Sequence, residues 1–331
     1  MTSIRVSEDS LLQALSKLVM GCICAKESIV VDGVTYRILE QIAEGGFSTI
    51  DLVEHVRTRD KFALKRITCH STEDQIAAQR EIEFHKHLEH PAILELEASA
   101  VIGSADIMHN VTSEVLLLLP YYPRGTLHDE LVRREVKKEP FSEEFALKLF
   151  QQICEAVHFM HSIEPQPLAH RDLKPHNVLL TRDMRPVIMD LGSTTTACVS
   201  IKTHSEAQHL QDVAAERCSI TYRPPELFQV NSRCEIDERT DVWSLGCLLY
   251  AMCFFKSPFD TVFERGDSVA LAVQGNNLKF PPNSTFSTDM HNVITWMLTP
   301  NIAVRPYLSQ IMDRIQDMLN NTSTKETNPK V

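Results

Sequence analysis

The stretch HRDLKPHN, at positions 170–177, constrains the chain more than any other part of its sequence, because it places an aspartate, a lysine and an asparagine within six residues. Asp172 can accept a proton from a hydroxyl group, and Lys174 can stabilise negative charge that develops nearby. Asn177 offers a neutral oxygen of the kind that Mg²⁺ binds, and Asp190, in the later motif MDLG, offers a second ligand. Such a set suits phosphoryl transfer, in which positioning and charge neutralisation dominate catalysis.

A glycine-containing stretch, AEGGFSTI, precedes these motifs and joins two segments that read as strands. Glycines let backbone amides approach phosphate oxygens closely, although a glycine pair between strands also suits an ordinary tight turn. Lys65 follows on an apolar strand, and Glu81 on a helix can hold it toward the α- and β-phosphates of a nucleotide. The alternative is that Lys65, like most lysines on strands, points to solvent. The candidate phosphate-binding residues of the stretch are Ala43, Glu44, Gly45, Gly46, Phe47, Ser48 and Ile50.

The hydrophobic pattern changes once along the chain. Residues 36–67 read as three short strands, and an apolar strand recurs at 114–120. Between them, 72–88 has helical spacing, and after them helices dominate, including 142–161 and 239–254. We therefore predict an α+β protein with a small, β-rich N-terminal lobe and a larger, mainly helical C-terminal lobe.

Composition argues against several classes of function. The formal net charge of −11 disfavours nucleic acid as a partner, because phosphate backbones are bound by basic surfaces. Nine scattered cysteines without a C-x-x-C pair suit a reducing cytosol rather than a disulfide framework or a zinc site. No apolar run approaches the roughly 18 residues that span a bilayer. His85, His87 and His90 resemble a metal cluster, but the first two face apart on a helix, so we expect a solvated helix end.

The motifs, taken in order, point to a family. EGGFS, ALKRI, AHRDLKP, MDLGS and IDERTDVWSLGCLLYAM together resemble eukaryotic protein kinases, and among these the Numb-associated kinase family. The resemblance implies a bilobal kinase domain over 29–316, with an antiparallel β-rich N-lobe (29–119) and a helical C-lobe (120–316). It also implies ATP bound between the lobes and Mg²⁺ as the cofactor. Outside the domain, we expect an N-terminal extension over 1–28 and a flexible tail over 317–331.

The resemblance assigns roles to further residues. LPYYPRGTL would be the hinge that binds adenine, and Asp241 would brace the catalytic loop. Glu226 would pair with Arg305, and Ser219 would bridge the catalytic aspartate and lysine of the HRDLK motif. The other nucleotide contacts that it implies are Leu119 as the gatekeeper, the backbone of Pro120, Tyr121 and Tyr122, and the side chains of Ala63 and Leu179.

The chain departs from the family pattern at two places. The glycine-rich motif begins with Ala43 and has Ser48 where a third glycine is usual. An alanine is compatible with phosphate binding if its φ stays negative. The motif that normally reads A-P-E is here Pro224-Pro225-Glu226, which should stiffen the end of the activation segment and leave the glutamate in place.

Lys174 and Ser219 favour serine and threonine hydroxyls of proteins as the substrates of such a kinase. Two alternatives stay open on the sequence. A pseudokinase scaffold would bind partners without catalysis, and it should have lost a phosphate- or metal-binding residue. A kinase of small molecules or lipid headgroups would not need the 219–226 segment, which shapes a peptide-binding surface in the family.

The activation segment is long and contains a second candidate helix. We predict a helix over 205–218 with Ser205 as its N-cap, because apolar residues recur there at helical spacing. The alternative is a disordered loop that awaits phosphorylation. The resemblance suggests autophosphorylation, for which the candidate sites are Ser219, Thr221, Tyr222 and the hydroxyl residues of 193–205.

The stretch MGCICAK, at 20–26, looks like a dual-acylation signal. We expect translation from Met20, with myristate on Gly21 and palmitate on Cys22 or Cys24, because a single acyl chain anchors weakly. The resemblance then implies a cytoplasmic protein held on the cytoplasmic face of Golgi or other membranes. The alternatives are palmitoylation alone on a longer chain and an unmodified N-terminal arm.

Overall fold

The computed structural model describes four stretches of the chain, residues 27–46, 48–105, 111–275 and 278–326. The candidate acylation residues and Phe47 of the glycine-containing stretch lie outside them. Antiparallel strands dominate the N-terminal part and helices the C-terminal part, which confirms the predicted α+β class. Among the described helices, none is long and apolar enough to cross a membrane.

The described chain packs as two compact units. The first runs up to Gln79 and includes Leu96–Tyr121, whereas the second contains Arg80–Glu95 and the chain from Tyr122 onward. This division differs from the predicted lobes, because residues 80–95 belong to the helical unit. The physical reason is their apolar side chains, several of which are buried in the core of the second unit, namely Leu88, Ala92 and Ile93.

An antiparallel sheet forms most of the first unit. Its strands are β1 (Ser28–Val31), β2 (Val34–Glu44), β3 (Ser48–His55), β4 (Lys61–Cys69), β5 (Ala98–Ile102) and β6 (Ser113–Pro120). They lie in the order β1-β2-β3-β4-β6-β5. Because side chains alternate across a strand, one set of apolar residues covers one face of the sheet. That buried set is Val31, Tyr36, Val53, Leu64, Leu116 and Leu118.

Helix α1 (Thr72–His87) follows β4 and begins at a reciprocal cap. The Asp74 amide donates to Ser71 Oγ at 3.0 Å, and the Asp74 carboxylate accepts from the amides of His70 and Ser71, both at 3.0 Å. These bonds satisfy amides that a helix start leaves without partners. Because α1 crosses from the first unit into the second, its later residues, including Glu81, belong to the second.

Helices make up most of the second unit. They are α2 (Leu127–Lys137), α3 (Glu143–His161), α4 (His204–Arg217), α5 (Pro225–Phe228), α6 (Arg239–Phe254), α7 (Asp260–Glu264), α8 (Val269–Gly275), α9 (Thr288–Met297) and α10 (Leu308–Glu326). Short antiparallel pairs join β7 (Leu168–Ala169) to β10 (Thr195–Thr196), β8 (Val178–Leu180) to β9 (Pro186–Ile188) and β11 (Val199–Ile201) to β12 (Cys234–Ile236). Helix α6 is buried over almost its whole length and packs against α3 and α9, so it forms the centre of this core.

The C-terminal helix corrects one prediction. Residues 317–326, which we expected to belong to a flexible tail, continue α10 as far as Glu326. Ile311, Ile315 and Met318 are buried at helical spacing, and α10 packs along α3. This apolar face holds the helix, whereas the polar composition of the same residues had suggested fraying. Residues 327–331 lie outside the described part of the chain.

Candidate active site

The HRDLKPHN motif forms the connection between β7 and β8, and the buried Asp241 of α6 holds its start. The Asp241 carboxylate accepts hydrogen bonds from the backbone amides of His170, at 2.8 Å, and Arg171, at 2.9 Å. His161 Nε2 lies 3.0 Å from the same carboxylate. The pKa of the Asp241 carboxyl lies below its ordinary value. Burial acts to raise this pKa, but the hydrogen bond from His161 and the other neighbouring donors outweigh the effect of burial. The predicted bracing contact is present.

Asp172 lies at the centre of a compact network. Its Oδ1 accepts from the Ser219 amide at 2.8 Å. Its Oδ2 lies 2.8 Å from Lys174 Nζ and 2.9 Å from Asn177 Nδ2. Lys174 Nζ also donates to the Ser219 hydroxyl at 2.6 Å, so the predicted bridge by Ser219 is present. Because donors engage both oxygens, the Asp172 carboxylate is held in one orientation.

Asn177 and Asp190 have donor atoms that suit Mg²⁺. Both hydrogen bonds from the Asn177 amide nitrogen go to Asp172, at 2.8 Å to its carbonyl and 2.9 Å to its carboxylate, so Asn177 Oδ1 is the atom that could bind a cation. A Cβ built on Gly192 would lie 3.4 Å from Asp190 Oδ1 and 3.1 Å from Glu81 Oε2. Two carboxylate oxygens thus converge on this glycine. Hard oxygen donors of this kind fit Mg²⁺.

In the first unit, the glycine-containing stretch forms the turn between β2 and β3. The Gly45 amide donates to the Ser48 carbonyl at 2.7 Å, which closes the turn. Neither Ala43 nor Ser48 has a positive φ, so the two departures from the kinase pattern need no strained backbone. Among the described residues outside its immediate neighbours, a Cβ built on Gly46 would meet no atom within 4 Å.

The strand register brings other predicted nucleotide residues together. Lys65 of β4 pairs with Ile50 of β3 and with Leu117 of β6. Ala63, two residues before Lys65, pairs with Leu119. Since paired residues and residues two apart share a face of a sheet, Ile50, Ala63, Lys65 and Leu119 lie on one face.

The remaining predicted adenine contacts are divided between the units. Pro120 ends β6 in the first unit, and Tyr121 follows it. Tyr122 and Leu179 belong to the second unit, where the Tyr122 carbonyl accepts from the Gly125 amide at 3.0 Å. Burial raises the pKa of the Tyr122 hydroxyl, so this group stays neutral.

A family comparison agrees with this geometry: the family described as Protein kinase domain matches residues 36–315. The chain belongs to the protein kinase family. Serine/threonine-protein kinase 16 from Rattus norvegicus and from Homo sapiens are each 42% identical over 295 residues, covering 89% of this chain and 94% of the relative. A probable serine/threonine-protein kinase from Dictyostelium discoideum is 31% identical over 365 residues, covering 90% of this chain and 98% of the relative. The protein is therefore an ATP-binding serine/threonine kinase with protein substrates.

The activation segment of the kinase contains the predicted helix, α4, with a different cap. Thr203 Oγ1 accepts from the Glu206 amide at 3.2 Å, and the Glu206 carboxylate accepts from the Thr203 amide at 3.0 Å. Ser205 was the predicted cap and lies inside the helix instead. The helix begins at His204, so Thr203 takes the cap position, and Glu206 three residues later completes a reciprocal capping box.

A small apolar core holds α4 in the kinase. Ala214 and Cys218 pack there with Leu227 and Ile236. Burial raises the pKa of the Cys218 thiol to about 11, so the thiol stays protonated and is a packing group. Apolar packing therefore orders the segment between β11 and α5.

The hydroxyl groups of the activation segment differ in exposure. Thr221 and Tyr222, two predicted autophosphorylation sites, are buried, and burial raises the pKa of Tyr222. Phosphorylation of either would require the segment to open first. Other candidates are exposed, namely Thr195, Ser200, Thr203 and Ser205.

The predicted pair between Glu226 and Arg305 is present and buried. Arg305 Nη1 lies 2.7 Å from Glu226 Oε1, and Nη2 lies 2.9 Å from Oε2, which makes the contact bidentate. The guanidinium also donates to the carbonyls of Thr299 at 2.9 Å and Arg239 at 2.8 Å, and it lies over the Trp243 ring. It thus joins the end of the activation segment to the C-terminal helices.

Sequence reasoning missed two histidine contacts in the kinase. His85, which we expected at a solvated helix end, is buried, and its Nδ1 lies 2.8 Å from the Leu94 carbonyl oxygen. Its four-residue spacing from Glu81 was an available signal, since such residues share a helix face. The rings of His128 and His176 stack beside the catalytic loop with centroids 3.7 Å apart, and no local pattern links them.

Proposed function

We propose that this kinase transfers the γ-phosphoryl group of ATP to serine and threonine hydroxyls with Asp172 as the proton acceptor. One observation carries the proposal: Asp172, Lys174 and Ser219 are joined in a closed set of contacts of 2.6 to 2.8 Å. The set places an anionic acceptor and a cation side by side. It also ties both groups to the 219–226 segment, which is where a peptide substrate is expected.

In the proposed reaction, the substrate hydroxyl oxygen attacks the γ-phosphorus, and the bond from that phosphorus to the bridging oxygen breaks. The hydroxyl proton moves to the Asp172 carboxylate, and the bridging oxygen leaves with ADP. Lys174, which lies 2.8 Å from Asp172, stabilises the negative charge of the transferred group. Ser219 keeps the lysine beside the carboxylate, because its hydroxyl accepts from Nζ.

Other residues of the proposed site bind the nucleotide and its metal ion. Asn177 and Asp190 would hold Mg²⁺, whose charge neutralises the phosphate oxygens. Lys65 would bind the α- and β-phosphates, and the amides of the turn that contains Gly45 and Gly46 would bind phosphate oxygens. The backbone of the predicted hinge would bind adenine.

The acceptor specificity can be tested with four matched peptides that carry serine, threonine, tyrosine or alanine at one position. We expect label from [γ-³²P]ATP to enter the serine and threonine peptides in the presence of Mg²⁺ and to stop when EDTA is added. The alanine peptide controls for label elsewhere, and phosphatidylinositol vesicles test a lipid acceptor. Transfer to the lipid or to tyrosine, with none to serine and threonine, would contradict the proposal.

We also propose that the kinase phosphorylates itself but depends little on that phosphate. The support is the apolar core that holds α4, with Ala214 and Leu227 buried in it. Protein made in bacteria and treated with a phosphatase should keep most of its activity toward the serine peptide. An Asp172→Asn preparation serves as the control for phosphorylation by host enzymes. A fall of the treated protein to background activity would show that the activation segment needs phosphate.

Membrane attachment by acylation is the second part of the proposed function, and the motif at 20–26 supports it. Myristate on Gly21 and palmitate on Cys22 or Cys24 together provide the two chains that stable anchoring requires. The expected location is the cytoplasmic face of Golgi or other membranes.

Fractionation of cells that express the chain from Met20 tests the acylation proposal. Wild-type protein should incorporate an azide-labelled myristate analogue and sediment with membranes, whereas Gly21→Ala should be soluble. Cys198→Ser is the matched control, because Cys198 is an exposed cysteine outside the motif and its loss should change nothing. Membrane binding of Gly21→Ala equal to that of the wild type would refute the role of myristate.

A further inference from the structure

A four-residue turn, 219–222, is joined at its first residue to the catalytic loop. The Tyr222 amide donates to the Ser219 carbonyl at 3.0 Å, which closes the turn. Ser219 bonds Asp172 through its amide, at 2.8 Å, and Lys174 through its hydroxyl, at 2.6 Å. A shift of the turn would therefore move the groups that surround the proton acceptor of the proposed reaction.

The other end of the turn is held by two buried hydroxyl groups. Ser257, in the connection between α6 and α7, donates from Oγ to the Thr221 carbonyl at 2.7 Å. Ser244 of α6 donates from Oγ to the Tyr222 carbonyl at 2.9 Å. Both serines are 3% exposed. The last two carbonyls of the turn are thus bonded to the interior of the second unit.

Ser257 is itself fixed by its neighbours. Its Oγ accepts from the Phe259 amide at 3.2 Å, and its own amide donates to the Asp260 carboxylate at 2.7 Å. Phe259 is buried, and its ring stacks on that of the buried Trp243 with centroids 5.9 Å apart. Because a carbonyl oxygen only accepts hydrogen bonds, the hydroxyl proton of Ser257 points at Thr221.

The two serines differ in how much the turn depends on them. Ser244 Oγ also lies 3.5 Å from the Thr240 carbonyl, one turn earlier in α6, so its proton has a second acceptor within its own helix. The bond from Ser257 is shorter and joins residues 36 apart in the chain. Loss of Ser257 would take this donor from the buried Thr221, and the turn would shift because an unsatisfied buried carbonyl is costly.

We propose that Ser257 is a positioning residue for peptide phosphorylation, and that its hydroxyl holds the turn 219–222 where Ser219 meets Asp172 and Lys174. The inference rests on the proposed function, in which Asp172 accepts the substrate proton and the 219–226 segment receives the peptide. It assigns to Ser257 no contact with substrate or ATP. Loss of the hydroxyl should therefore impair the use of the peptide and not the binding of ATP.

Two substitutions at Ser257 separate the hydrogen bond from packing. Ser257→Ala removes the donor, so kcat/KM for the serine peptide should fall about 10-fold. The KM for ATP, and the slow hydrolysis of ATP measured without peptide, should stay close to those of the wild type. Ser257→Thr keeps the hydroxyl and should recover most of the lost kcat/KM for the peptide.

Ser113→Ala is the matched control. Ser113 of β6 is also buried, at 2% exposed, and its hydroxyl donates to Gln75 Oε1 at 3.1 Å within the first unit. Its loss should lower the free energy of unfolding about as much as the loss of the Ser257 hydroxyl, but leave kcat/KM for the peptide unchanged. The pair of variants thus separates positioning from a general loss of stability.

Amide hydrogen exchange gives a second readout that does not depend on activity. The Tyr222 amide closes the turn through its bond to Ser219, so its exchange rate reports how often the turn opens. Measured without nucleotide or peptide, this exchange should speed up in Ser257→Ala. It should stay at the wild-type rate in Ser257→Thr and in Ser113→Ala.

Three results would overturn the inference: wild-type kcat/KM for the peptide in Ser257→Ala, an equal fall in Ser113→Ala, or an unchanged exchange rate at Tyr222. If Ser257→Thr folds poorly, Ser257→Ala and its control still decide the question. An Asp172→Asn variant measured alongside separates the two proposals. Full activity there would refute the proposed function, whereas its loss together with a fully active Ser257→Ala would refute only the role of Ser257.

Discussion

Replacement of Asp172 by asparagine is expected to lower kcat by about 10²-fold to 10⁴-fold while ATP binding persists. The amide oxygen can still accept from the Ser219 amide, but an amide group cannot take up the substrate proton. Its NH₂ group would also face Lys174 Nζ and Asn177 Nδ2, which now lie 2.8 and 2.9 Å from the carboxylate as donors. The variant thus loses the proton acceptor and the attraction that holds the lysine.

Steady-state transfer to the serine peptide measures the expected loss, and a titration with a fluorescent ATP analogue measures binding. Asp183→Asn is the matched control, because Asp183 is exposed in the turn between β8 and β9 and should be replaceable without effect. Near-normal turnover by Asp172→Asn would mean that another group accepts the proton. Loss of ATP binding would place Asp172 in the nucleotide site instead.

Replacement of Arg305 by alanine is expected to lower the free energy of unfolding by about 3–5 kcal/mol, because it leaves the buried partner carboxylate without a counter-charge. The side chains of Arg305 and Glu226 are 0% and 12% exposed, and the two bonds between them are 2.7 and 2.9 Å long. The substitution also removes donors from the carbonyls of Thr299 and Arg239. Water would then have to reach the Glu226 carboxylate and both carbonyls to replace the lost hydrogen bonds.

Urea unfolding followed by tryptophan fluorescence measures this effect, since the Arg305 guanidinium lies over the ring of the buried Trp243. Arg314→Ala is the control: Arg314 lies 2.7 Å from Asp289, but their side chains are 36% and 54% exposed. An exposed pair is worth about 0–1 kcal/mol, so the control should shift the midpoint little. Equal shifts in the two variants would show that burial of the pair does not matter.

The candidate catalytic residues could be located in the sequence because their chemistry is concentrated in short motifs. Asp172, Lys174 and Asn177 lie within six residues, and a local backbone bond from the Asn177 amide to the Lys174 carbonyl, 2.9 Å long, shapes the loop. Spacing alone therefore brings these side chains together. The helices with strong caps were predictable for the same reason, as α3 shows, where Ser142 accepts from the Phe145 amide.

Predictions from local composition failed where a distant segment covers the chain. The polar neighbours of His85 predict an exposed side chain, but His85 is buried and contacts the carbonyl of Leu94, nine residues away. The polar composition of 317–326 predicts a tail, but Met318 and Leu319 are buried and the helix to which they belong packs on α3. In both cases the local sequence gives the average polarity of a segment. Burial of a side chain depends instead on which other segment packs against its face of the helix.

The sequence by itself determined the reaction class, the order of the functional motifs, four strands of the first unit (β2, β3, β4 and β6) and four of the helices (α1, α3, α4 and α6). Only the tertiary structure decided which distant groups meet, such as Lys174 with Ser219, 45 residues apart, and Glu226 with Arg305, 79 residues apart. It also decided that His85 contacts the Leu94 carbonyl. The physical reason is that the spacing of apolar residues, the residues that cap helices and the side chains of a short motif all lie close together in the sequence. A contact across a core depends on how every element around it packs, and no short stretch of sequence contains that information.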